Sequence, residues 1–151
     1  MKAAREAADQ AADIRGSRPI VIAVTVLTSF DEDGFRAIGV NRPIAAQVEA
    51  LAEMAQDAGL DGVVASPHEI TVIRARCGPQ FQIVTPGIRT GTVSAGDDQV
   101  RTMSAADAVR AGATFVVVGR PILQAADPRA AAAEIAAAIY SDELRATSNE
   151  R

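Results

Sequence analysis

Gly119-Arg120-Pro121 is the tripeptide with the clearest chemical meaning in the chain. It follows the apolar run Thr114 to Val118. Glycine lets a backbone approach a ligand, the guanidinium can fork onto phosphate oxygens, and Pro121 can begin a short helix whose free amides favour an anion. Together these features describe a phosphate cradle, although the same residues also suit a plain strand-to-helix turn with a solvated Arg. Further polar or Gly-bearing positions fall where other apolar runs stop: Thr28 and Ser29, Ser66, and Thr85-Pro86-Gly87-Ile88-Arg89. The stretch 86–103 is long for a connection inside a compact domain. Its Arg89 and Gln99 could close over a ligand, or the stretch could be a mobile surface loop with solvated side chains.

The remaining chemically active side chains lead to blander readings. His68, beside Glu69, has no Ser or Cys nucleophile placed near it and reads as a surface residue. Cys77, one residue before Gly78, reads as a small hydrophobe in a last helical turn. Asp31, Glu32 and Asp33 read as a solvated helix start, where acid complements the helix dipole. Asp97 and Asp98 alone do not make a metal site, and with one Cys and one His no Cys/His metal cluster and no internal disulfide can form.

The elements that must position these residues alternate in kind. Residues 3–14 read as a helix with Ala4, Ala7, Ala8, Ala11 and Ile14 on one stripe, ended by Gly16. Pro19 to Leu27 is a β-branched run without polar alternation, as expected of a strand buried on both faces. Arg42 to Ala58 carries Ile44, Val48, Leu51 and Ala55 at helical spacing, with Pro43 at its start and Gly59 past its end. A strand at 62–65, a helix at 67–77 closed by Gly78 and a strand at 81–85 repeat the pattern. After the long loop, Ser104 and Asp107 form an N-terminal cap for a helix ending at Gly112. A strand at 114–118 and an Ala-rich helix at about 128–140 follow, with Ile135 and Ile139 on one face. Residues 141–151 read as a frayed polar tail, leaving 1–140 as the domain.

Alternating strands and helices imply an α/β fold with a parallel sheet and right-handed crossovers. Four strands are visible, whereas a closed (β/α) barrel needs eight and about 250 residues. A small open sheet and half of a barrel both satisfy that count. In either case ligands bind at the C-terminal ends of the strands, where the polar positions gather.

Composition narrows the partners. The chain has 151 residues, enough for one domain, and a net charge of -4 with its basic residues scattered, so it carries no electrostatic footprint for nucleic acid. The apolar run Ile20 to Val24 is far too short to span a bilayer, and the N-terminus carries acid where a signal peptide is apolar. A cytoplasmic protein is expected. Aromatics are only 3% of the chain, so its core must be built from Ile, Val and Leu with Ala between them.

Five blocks, in order and consistently spaced, resemble the bacterial orotidine 5'-phosphate decarboxylase family: Ile22 to Ser29, Gly59 to Val64, Val84 to Arg89, Gly96 to Gln99, and Val118 to Ile122. A hexulose-phosphate synthase relative would share the last phosphate loop without the Thr28-Ser29 and Gln99 blocks. The resemblance implies a (β/α) TIM barrel that converts orotidine 5'-phosphate to uridine 5'-phosphate (UMP) and carbon dioxide in pyrimidine synthesis, without metal or organic cofactor and usually as a homodimer. By the same resemblance, Thr28 meets the pyrimidine, Gln99 bridges pyrimidine and phosphate, and Arg89, Gly119 and Arg120 hold the phosphate.

One departure from the family is chemical. Its catalytic Lys and Asp residues lie on strands preceding everything matched here, and this sequence contains a single Lys, Lys2. The chain therefore looks like the last four strand-helix units plus one preceding helix, a half-barrel that is expected to be inactive alone. The alternative is a non-catalytic phosphate- or nucleotide-binding module. A half-barrel also leaves two unpaired strand edges, residues 20–27 and 114–118, which favour pairing of two copies, with aggregation as the other outcome.

Overall fold

The computed structural model describes residues 1–89 and 101–148, and of residues 15 and 142–148 the backbone alone. The order is α1 (Lys2–Arg15), β1 (Ile22–Val24), α2 (Glu32–Ala37), α3 (Ile44–Asp57), β2 (Gly62–Val64), a 3₁₀ turn (Pro67–Glu69), α4 (Ile70–Cys77), β3 (Gln82–Thr85), α5 (Ala105–Arg110), β4 (Phe115–Val116), α6 (Arg120–Leu123) and α7 (Pro128–Ser148). The four strands form one parallel sheet in the order β1-β2-β3-β4. This is the α/β half-barrel expected from the alternation.

Capping residues set several boundaries. Asp31 accepts from the Gly34 amide at 2.7 Å to start α2, the solvated acidic start anticipated for this stretch. Ser104 accepts from the Asp107 amide at 3.1 Å and starts α5, as its spacing predicts. Gly16 closes α1 at φ 72°, a left-handed conformation that costs glycine little.

Among the described residues the sheet has one covered face and one more open face. Ala23, Val63 and Ile83 stand in register on the covered face, where Val63 and Ile83 are fully buried with Val48, Ala52 and Ala55 of α3 and Ile70 and Ile73 of α4. On the opposite face Val24, Val64, Val84 and Phe115 form a second register row. Val24 is 61% and Phe115 50% exposed at its two ends.

Three expectations need correction. The first strand is three residues, not the nine from Pro19 to Leu27, and is not buried on both faces: Ile20, Val24 and Leu27 are all exposed. It is an edge strand whose second face has no covering layer among the described residues, so its β-branched composition reports strand propensity but not burial. The stripe assigned to α1 is mostly open, with Ala8 buried but Ala4, Ala7 and Ile14 exposed. That helix is tethered by charge, since Arg5 donates to the Gly59 carbonyl at 2.7 Å and pairs with Asp61. Finally, α7 continues to Ser148 past the expected end at Tyr140, because the polar residues after it include good helix formers and no Gly or Pro. Part of the stretch expected as a frayed tail, 141–148, is thus helical.

Candidate functional site

Parallel strands send all their C-terminal ends to one edge, and the expected site residues among the described ones, Thr28, Arg89, Gly119 and Arg120, lie along it. Thr28 sits in the turn after β1 and is buried, with 7% exposure, while its neighbour Ser29 is exposed. Ser66, two residues beyond β2, is fully buried and caps the 3₁₀ turn by accepting from the His68 amide at 3.3 Å. Thr85 ends β3, fully buried, and its hydroxyl finds no partner among the described residues. Gly87 follows with φ 81°, a left-handed turn that directs the chain to Arg89.

The two arginines occupy equivalent places. Thr85 and Val116 are register partners on β3 and β4, and Arg89 and Arg120 each lie four residues beyond their partner. Both are half-buried. The Arg89 guanidinium donates to the Ile88 carbonyl at 2.8 Å. Arg120 opens α6, with Gly119 as the residue before it. A Cβ on Gly119 would meet nothing within 4 Å among the described residues, so its packing does not demand glycine and the space over its Cα is open. The helix itself offers fewer anion-binding amides than expected. Pro121 has no N–H, and the Ile122 and Leu123 amides both donate to the Gly119 carbonyl at 3.0 Å. Any anion at this turn is therefore met by the Gly119-Arg120 segment itself. Gln99, with the whole Gly96 to Gln99 block, lies outside the described residues.

Two residues that the sequence reading does not bring together meet at this edge. Glu69 and Arg101, 4% and 8% exposed, form a buried ion pair, and Arg101 also donates to the Leu27 carbonyl at 3.0 Å. They stand 32 positions apart on different elements, and no periodicity links them. His68 is exposed, as expected, with Nε2 3.4 Å from the Thr102 carbonyl. Cys77 is buried and burial pushes its thiol pKa up, which suits packing rather than nucleophilic use. Lys2 is exposed at the start of α1.

The opposite edge of the sheet is structural. There Asp61 accepts from Arg18, from the Val21 amide at 2.8 Å and from Arg5. The Arg18 bond is the main reason that its carboxyl pKa is lowered. Arg74 donates to the carbonyls of Gly78, Phe81 and Gly112 and thereby joins α4, β3 and the end of α5.

The family model for the orotidine 5'-phosphate decarboxylase / HUMPS family matches residues 1–135. The chain belongs to this family. It is 54% identical over 115 residues to orotidine 5'-phosphate decarboxylase of Trichlorobacter lovleyi, covering 76% of this chain and 47% of that protein. Against the enzyme of the same name from Moorella thermoacetica it is 51% identical over 138 residues, 91% of this chain and 54% of the relative. Among solved structures, orotidine 5'-phosphate decarboxylase from Lactobacillus acidophilus superposes with a TM-score of 0.67 at 38% identity, covering 82% of this chain and 50% of that one. The chain thus spans about half the length of the curated relatives it matches, and its four strand-helix units are part of the decarboxylase family's barrel.

Proposed function

We propose that these residues form the phosphate-gripping part of an orotidine 5'-phosphate decarboxylase, the lyase that yields UMP and carbon dioxide in pyrimidine synthesis. The observation that carries the reading is the matched placement of Arg89 and Gly119-Arg120, four residues past register partners on adjoining parallel strands. Two guanidiniums at neighbouring strand ends suit the bidentate, charge-assisted hydrogen bonding that a phosphate dianion offers. Thr28, buried in the turn after β1, takes the pyrimidine end in this reading, and Gln99 bridges the two. The division of labour follows from differential binding: contacts to a remote phosphate can lower the barrier at the reacting ring when the catalytic groups are in place.

Those groups are the question for this chain. Decarboxylation leaves a carbanion that must be protonated, and the only ammonium side chain among the 151 residues is on Lys2, exposed at the start of α1. This favours the second reading for the chain taken alone: residues 1–140 bind nucleotide monophosphate without turning it over. A cytoplasmic, homodimeric state belongs to the same proposal and rests on the family resemblance.

Calorimetric titration with UMP tests the reading, run beside an assay for loss of orotidine 5'-phosphate. Binding without turnover is expected, and Arg120→Ala should weaken it about 10- to 100-fold, the value of one hydrogen-bonded charge contact. Turnover by the purified chain would overturn the inactivity argument, and an absence of UMP binding would overturn the phosphate site.

A further inference from the structure

We infer that Arg101, paired with Glu69, is a positioning residue that locks the turn after β1 and the Arg89 turn into one rigid edge; the consequence for ligand rests on the phosphate-site reading above. The geometry is a stitch of three residues, 101–103, running across the C-terminal end of the sheet. On one side Arg101 donates to the Leu27 carbonyl at 3.0 Å, the residue before Thr28, and to the Glu69 carboxylate after β2. On the other, Met103 pairs with Ile88: the Met103 amide donates to the Gly87 carbonyl at 3.2 Å and the Arg89 amide donates to the Met103 carbonyl at 3.0 Å. The chain that carries Arg101 thus holds the backbone of Arg89 directly, while its side chain holds the turn of Thr28.

The pair is built to keep this arrangement single. Both side chains are buried and pair through Arg101 Nη1 and Glu69 Oε1, while Glu69 Oε2 and Arg101 Nε have no hydrogen-bond partner among the described residues. Neither can leave the other without stranding a charge away from water, so sliding of the stitch is strongly opposed. A planar guanidinium also suits the task, because it presents donors to a carbonyl and a carboxylate at once, which a single ammonium does less well.

Amide hydrogen exchange on the full chain tests this without requiring ligand. Glu69→Met/Arg101→Met removes both charges together and leaves neither buried alone, and Arg101→Lys keeps the charge but not the fork. In the double variant the Arg89 and Met103 amides should exchange at least about tenfold faster, while the Ala65 and Gln82 amides, bonded within the sheet, keep their parent rates. Arg101→Lys should fall between parent and double variant. Unchanged rates at Arg89 and Met103 would overturn the clamp, and so would equal acceleration at all four amides, which would make the pair a contributor to global stability only.

UMP titration adds the functional arm. Arg89→Ala should cost about tenfold in affinity in the parent but less than about threefold in the double variant, since a mispositioned Arg89 has little left to lose. Additive losses would overturn its role in positioning Arg89. A parent chain that does not bind UMP would instead overturn the phosphate-site reading, while the exchange rates would still decide whether the clamp exists.

Discussion

Asp61 shows how a single carboxylate can make this fold depend on pH. Its pKa is lowered chiefly by the Arg18 hydrogen bond, with further help from the Val21 amide and the charge of Arg5. A carboxyl with a depressed folded pKa contributes its full stabilisation above its unfolded value, about 3.9, and loses it as pH falls through the lower folded value. The melting temperature should therefore drop below about pH 4. Asp61→Asn should melt lower than the parent at neutral pH, with the gap closing in acid. A gap that stays constant with pH would show that the lost hydrogen bonds, and not the charge, carry the effect. At the other edge, Gly119→Ala makes an opposite kind of prediction. A methyl there meets nothing within 4 Å among the described residues, so the melting temperature should be unchanged while UMP binding weakens at least about tenfold, as expected if a phosphate lies against the backbone. A loss of stability in parallel would identify Gly119 as a structural glycine. The placement of Gly119, Arg120, Arg89 and Thr28 past the strand ends was legible in the sequence because turn and charge residues follow apolar runs there. The Glu69–Arg101 pair was not, because its partners meet only through the folding of two separate crossovers.

Elements were legible by type and less so by extent. Helix ends marked by chemistry came out close to expectation: Gly16 after α1, Ser104 before α5, Gly78 after α4. Strand lengths did not. The nine-residue β-branched run became a three-residue β1, since pairing is set by the neighbouring strand and not by composition. Gly62 marks where that pairing is tightest. A Cβ on it would lie 2.1 Å from the Gln82 carbonyl oxygen, a backbone atom that cannot swing aside. Gly62→Ala should thus force β2 and β3 apart and destabilise the chain by at least about 2 kcal/mol, read as a lower urea midpoint. An unchanged midpoint would mean that the strands can separate there at no cost.

At the scale of the molecule, the covered face of the sheet is complete and the bare one is not. Val24, Val64, Val84 and Phe115 make an apolar row across all four strands, exposed most at its two ends, and among the described residues β1 and β4 each offer an unpaired edge. Unpaired edges next to exposed apolar side chains promote association, and a two-fold axis would set β4 of one copy parallel to β1 of the next, making eight strands from two fours. Size-exclusion chromatography with light scattering should find the chain self-associated. Val24→Lys/Phe115→Lys, which places a charge at each end of the row without touching the buried side, should shift it toward monomer with little change in helical circular dichroism. A parent that is already monomeric would show that the bare row and open edges are tolerated in water. A lysine variant that remains associated would move the contact to another surface, of which exposed Leu123 and Tyr140 on α6 and α7 are the next to test.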